Sequence, residues 1–270
     1  MSVEGLLYRP LALLPAHARA LLDRFRLLDG AEPPKALMER DEGRDRRPFL
    51  VVDGVAVIPI QGVLVHGNAY SWWGQTSYGT IRACLDLAVA DAEVRAILLH
   101  VDSPGGEVAG CFDLADHIYA LRAVKPVAAI VDECACSAAY ALACAAEKIL
   151  APRSAVIGSI GVITMHLDVT AALEQAGLKV TTIQFGGRKS DSYSTTPLSD
   201  DARDRMQADV DRLGEMFVAL VARNRGLDAD KVRATEAGVF LGQAAVEQGL
   251  ADAVMPTDAA FAAVLDALTE

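Results

Sequence analysis

Cysteine is sparse, with five residues at 84, 111, 134, 136 and 144 of a 270-residue chain. The odd count and the apolar, alanine-rich setting argue against a disulfide framework and predict reduced core thiols. Cys134-x-Cys136 has no matching Cys/His pair at ligand spacing, so no metal is expected. No apolar run reaches the roughly 18–20 residues that span a bilayer, so no membrane segment is expected. The stretch from Leu11 to Leu14 is too short for an export signal and Glu4 offsets Arg9, which predicts a cytoplasmic protein. Positive charge is also short: 25 Lys+Arg stand against 36 Asp+Glu, for a net charge of −11. Residues 1–47 are nearly balanced, so the acidic excess lies in the rest of the chain, which lacks the basic face of a nucleic-acid partner. No nucleotide-binding loop, internal repeat or low-complexity tract is present, and no cofactor is expected.

What remains is a chain rich in apolar residues, at 52% hydrophobic, which is ample for a sizeable core. Residues 1–28 read as two short helical stretches broken at Pro10 and Pro15. Gly30 to Pro48, with Pro33-Pro34 and dense charge at 39–47, reads as an exposed connector. The layout is therefore an N-terminal helical arm and connector (1–48), a main domain (49–255) and a C-terminal helix or tail (256–270). Strands are expected over 55–65 (with an edge or bulge at Pro59), 95–101, 126–131, 148–151, 155–157, 160–165 and 178–184. Helices are expected over 79–91, 108–122, 137–147, 168–176, 199–224 and 228–235, with further short elements after Gly242 and Pro256. Strands alternating with helices at this spacing imply βαβ units and a mainly parallel sheet, an α/β fold with a C-terminal helical region.

Two stretches carry the chemistry. Asp102-Ser103-Pro104-Gly105-Gly106 follows an apolar strand, and Cys136-Ser137-Ala138-Ala139-Tyr140 opens a run of small residues. Strand ends of parallel sheets are where α/β proteins build sites. The first stretch reads as a turn offering glycine amides, and the second offers a hydroxyl at a helix start. A nucleophile with oxyanion donors is the minimum for acyl transfer, which points to a serine peptidase. Each stretch also has a plainer reading, Ser137 as a helix N-cap and Gly105-Gly106 as a simple turn.

A serine nucleophile needs a base. Of the histidines only His166 falls where it could meet Ser137, and the Gly-x-Ser-x-Gly elbow is absent. Of six lysines, Lys189 stands apart in a Gly- and Ser-rich loop after a strand. A free lysine, with a pKa of ~10.4, is neutral only about once in 2,500 molecules at pH 7. A lysine base must therefore be covered, and a solvated loop lysine is not.

The ordered set Asp102-Ser103-Pro104-Gly105-Gly106, Cys136-Ser137-Ala138, Gly158-Ser159-Ile160-Gly161-Val162 and Lys189 resembles the signal peptide peptidase A (SppA-type) peptidases. The resemblance covers roughly residues 50–255. It is closest to the branch of phage head-maturation proteases, whose pattern the arm, the 189–201 loop and the run from Val239 to Leu250 share. It implies a Clp/crotonase fold of repeated ββα and βαβ units. It also implies Ser137 as nucleophile, Lys189 as general base, Gly106, Ala138 and Gly105 at the oxyanion hole, and Ser159 orienting the lysine. A homo-oligomeric ring is implied too, with Lys189 reaching Ser137 of a neighbouring subunit as one arrangement. The Clp branch carries its histidine where this chain has Gly158 to Val162, which sets a Ser-His-Asp triad aside. SppA enzymes proper are membrane-anchored, and no such segment is seen here. The expected substrate is a protein, either scaffold degraded during procapsid assembly in the host cytoplasm or a signal-peptide-like remnant. A non-catalytic assembly factor on the same fold is the reading from a different class. A crotonase-type acyl-CoA enzyme would explain neither Ser137 nor Lys189.

Overall fold

The computed structural model of the chain describes residues 11–13, 47–67 and 74–267. Its strands are β1 (Leu11–Leu13), β2 (Leu50–Val52), β3 (Val55–Val65), β4 (Gln75–Ser77), β5 (Ala96–Glu107), β6 (Val127–Cys136), β7 (Lys148–Ala151), β8 (Val156–Gly158), β9 (Val239–Leu241) and β10 (Ala253–Val254). Its helices are α1 (Tyr78–Ala90), α2 (Cys111–Leu121), α3 (Ala138–Ala143), α4 (Thr170–Gln175), α5 (Asp200–Arg225), α6 (Ala229–Arg233), α7 (Gln243–Glu247) and α8 (Thr257–Asp266).

The strands join in one sheet with the order β10-β7-β6-β5-β3-β2. The spine β3-β5-β6-β7-β10 is parallel throughout, and β2 closes one edge antiparallel to β3. Such a sheet must be covered on both faces, and alternate residues of β5 supply the two covers. Ile97, Leu99 and Val101 join the main core with Ile81 and Leu85 of α1, Leu114 and Ile118 of α2 and all of α3. Leu98 faces the other way, with Val55, Ile130 and Leu150, against Ala260 and Val264 of α8. Helix starts follow their caps: Ser77 accepts from Thr80 N–H for α1, and Ser199 from Ala202 N–H for α5. Among the described residues no helix is long and apolar enough to cross a membrane.

The expected α/β architecture with a mainly parallel sheet is found, and four local expectations change. The Gly105-Gly106 turn is instead strand, because β5 runs on to Glu107. A Cβ on Gly106 would lie 1.8 Å from the Leu64 carbonyl oxygen, so glycine there permits close strand approach. The irregularity expected at Pro59 sits at Gly62, where the β3–β5 register shifts. Residues 160–165 and 178–184 are not strands, since a strand needs a ladder partner and only Ile163 forms an isolated bridge. Leu11–Leu13, expected within a helical stretch, is a strand paired with β5, which supplies its ladder. The rest of the arm and most of the connector fall outside the described residues.

The core thiols follow their burial. Desolvation pushes Cys111 and Cys144 up to about 12, whereas a hydrogen bond from Cys136 draws the half-buried Cys134 down. Iodoacetamide at about pH 8 is expected to alkylate Cys134 first and to spare Cys111 and Cys144 until the chain unfolds, because the thiolate is the reactive form. Peptide mass spectrometry reads the order, and equal labelling of all three would contradict the packed layer.

Candidate active site

The site is built where β5 and β6 part. They pair from Ile97–Val127 to Ser103–Ala135, while on its other edge β6 pairs with β8 from Cys134 and aligns Cys136 with Gly158. Ser137 is the next residue, between the end of β6 and the start of α3. Its backbone takes φ 54° and ψ −121°, a conformation glycine tolerates and other residues reach at a cost of ~1–3 kcal/mol. Three contacts hold it there. Ser137 N–H donates to Gly158 O at 2.8 Å, Ser137 O accepts from Ala141 N–H at 2.9 Å, and α3 behind it is buried throughout.

The plain N-cap reading of Ser137 does not fit, since its side chain makes no capping hydrogen bond. The hydroxyl instead points to Gly161 O at 3.4 Å, a long and weak contact. The residue is 1% exposed. Ala138 follows at the first turn of α3, where helix amides lack intrahelical acceptors. Ser159 sits one residue past Gly158, beside Ser137 at the ends of adjacent strands. It shares the φ of 54°, and its N–H donates to Gly238 O at 2.9 Å.

Across the gap, Gly105 and Gly106 lie in β5 against Val63 and Leu64 of β3. The Gly105 amide donates to Ser103 Oγ at 3.1 Å, and that hydroxyl donates to Gly62 O at 2.6 Å. Gly105 is therefore engaged in holding the strand, which leaves Gly106 as the better oxyanion candidate of the pair. Glu107, buried next to them, accepts from His66 N–H at 3.0 Å through Oε2, and its backbone carbonyl accepts from the Tyr78 hydroxyl. Burial and the neighbouring Cys111 push the Tyr78 phenol up, which keeps its proton available for donation. Ser103, Tyr78 and Glu107 were not singled out from the sequence. Ser103 lies inside the Asp102–Gly106 motif, whereas Tyr78 and Glu107 carry no local signal, because their partners are distant in the chain.

No base reaches Ser137 within the described residues. Lys125 Nζ caps the end of α1 by donating to Ala88 O and Asp91 O, and Lys148 lies 3.9 Å from Asp252. Lys179, Lys189 and Lys231 are exposed. Lys189 is on a turn closed by its own N–H to Gly186 O at 3.1 Å. His166 lines a cavity with Arg203, Met206 and Gln207 of α5, and both its ring nitrogens are buried without a hydrogen-bond partner. The structure thus brings Ser137, Ala138, Ser159 and the β5 glycines to one place and leaves Lys189 on the surface.

The strained Ser137 backbone has a measurable signature. Glycine removes strain of ~1–3 kcal/mol but loses about 0.5–1 kcal/mol to its own unfolded-state freedom. Ser137→Gly is therefore expected to be about 1 kcal/mol more stable than Ser137→Ala, an upward shift of about 2–4 °C in thermal unfolding. Ser137→Gly melting below Ser137→Ala would mean that the turn carries no strain beyond the cost of glycine itself.

Comparisons with known proteins place the chain in a family. The model of peptidase family S49 matches residues 119–268, a stretch that includes Ser137, Ser159 and Lys189. Head-tail preconnector protein GP5 of Enterobacteria phage P21 is 41% identical over 278 residues, covering 96% of this chain and 56% of the relative. Capsid assembly protease C of Escherichia phage lambda is 40% identical over 236 residues, covering 86% of this chain and 54% of the relative. Protease 4 of Haemophilus influenzae is more distant, at 25% identity over 235 residues, 83% of this chain and 37% of the relative. The chain spans about half the length of the two phage relatives. With a family match over more than half of its residues and a mainly parallel α/β sheet of the Clp/crotonase kind, this chain belongs to peptidase family S49, alongside the SppA-type serine peptidases.

Proposed function

We propose that this chain is a serine endopeptidase that uses a Ser137–Lys189 dyad and acts on scaffold protein during phage head assembly, in the host cytoplasm within the procapsid. Residues 49–255 form its catalytic domain in this reading. The observation that carries it is Ser137 itself, a strained residue between strand and helix whose hydroxyl caps nothing. Strain of this kind collects at catalytic positions, and nucleophile elbows are an instance. The two phage relatives, named as a preconnector protein and a capsid assembly protease, support the setting.

The chemistry follows from the parts. Ser137 Oγ attacks the substrate carbonyl carbon as its proton passes to neutral Lys189 Nζ. The Gly106 and Ala138 amides hold the oxyanion, each such donor contributing about 3 kcal/mol to the transition state. The C–N bond breaks, and the leaving amine takes the proton from Lys189. Water then attacks the Ser137 ester with Lys189 again as base, releasing the acid and restoring the hydroxyl. Ser159, beside Ser137, orients the lysine.

Lys189 is exposed in the single chain, so its cover comes from a second copy. The segment leading to it supports this. Ile183 and Phe185 are 96% and 101% exposed, and Leu178 and Val180 are also on the surface. An apolar strip with no ladder partner among the described residues is the kind of surface that an oligomer buries. In the proposed ring this strip packs on a neighbour and carries Lys189 to the neighbour's serine.

Cleavage of an unfolded protein by wild type, Ser137→Ala, Lys189→Ala and the two mutants co-refolded tests the whole reading. Each single mutant is expected to lose about a thousandfold or more. In a random ring half the serines survive and half of their neighbouring lysines do, so the mixture recovers about a quarter of wild-type activity. Full activity in Lys189→Ala would remove the dyad. Wild type inert towards every protein offered would favour a non-catalytic assembly factor.

A further inference from the structure

β5 has two edges at its end, and both are occupied. On one, Gly105 and Gly106 pair with Val63 and Leu64 of β3. The other edge pairs with β6 as far as Ser103–Ala135, and β6 then leaves it and ends at Cys136, just before Ser137. The vacated edge lies on the Ser137 side. There Leu11–Leu13 pairs antiparallel with β5, Leu11 opposite Glu107, Ala12 opposite Gly106 and Leu13 opposite Gly105. Ser137, next to this position, is 1% exposed.

We propose that Leu11–Leu13 is a built-in occupant of the substrate slot, so that the N-terminal arm holds the site closed until an extended segment of a protein substrate displaces it. This rests on the peptidase reading above. A peptide attacked by Ser137 with help from Gly106 must lie along this same edge, and extended peptides bind sheet edges by adding a strand. One edge pairs with one strand, so arm and substrate exclude each other. A covalent tether gives the arm a local concentration of about millimolar, and substrate at lower concentration competes against it. The gate thus selects for substrates presented densely or held nearby.

Proline substitutions in the full chain test this, because proline has no N–H for a ladder. Alternate residues of an antiparallel strand direct their N–H groups to the partner, so either Ala12→Pro or the double variant Leu11→Pro/Leu13→Pro removes the donors that face β5. Two readouts are combined, hydrogen exchange of the Gly106 and Glu107 amides and cleavage of an unfolded protein. At least one variant is expected to exchange faster there and to cleave about tenfold faster, as for a site open a tenth of the time in the wild type. A synthetic peptide of residues 8–16 is expected to inhibit that variant competitively. Unchanged exchange in both variants overturns the docking of the arm. Faster exchange with unchanged cleavage overturns the gate and leaves the peptidase standing. Faster exchange with no cleavage by any form removes the peptidase reading, and the gate with it.

Discussion

The parting of two parallel strands is the constraint on which the rest of this molecule depends. β5 and β6 are paired through the core and separate beyond Ser103 and Ala135. Continued pairing would fill the sheet and leave no edge beside Ser137. The separation is stabilised from both sides. On its far edge β6 takes β8 where β7 ends, which sets Ser137 against the Gly158 carbonyl. β5 is held to β3 by Gly106, which admits the Leu64 carbonyl where a side chain would clash.

A strained turn persists only where its surroundings over-determine it. Here α3 is made of small residues because it is enclosed by the sheet and by α2 and α5, and its burial anchors the turn that starts it. Tyr140 reaches from α3 to the carbonyl of Leu250, tying the far end of the chain to the same helix. Arg225, at the end of α5, donates to Asp252 and to Gly249 O, and Asp252 accepts the Ile149 amide. These contacts lock the C-terminal segment onto β7, one strand from β6. The stability of the site is thus spread over residues from several parts of the chain, none of which does chemistry.

The two residues of the proposed dyad differ in kind. Ser137 and Ser159 are buried in the sheet layer, at matched positions with the same φ of 54°. Lys189 follows an exposed apolar segment that has no partner strand among the described residues. Under the proposed dyad, a pre-formed nucleophile and an uncovered base fit a site completed on assembly.

The sequence by itself determined the elements that repeat or cap. The continuous apolar run of β5, the helical spacing in α5 and the Ser199 cap were all legible, because they depend on neighbours a few residues away. Ser137, Gly106 and Lys189 were legible as motif positions, and the family match spans the first and last of them. Tertiary structure alone decided what each of them touches. Gly105-Gly106 reads as a turn until the Leu64 backbone closes on it from another strand. Residues 178–184 read as a strand by composition, yet among the described residues no strand lies alongside to accept their hydrogen bonds. Leu11–Leu13 reads as part of a helix, but the edge that β6 vacates takes it as a strand. Backbone pairing across tens of residues is invisible to local pattern, because a strand is defined by its partner and a helix by itself.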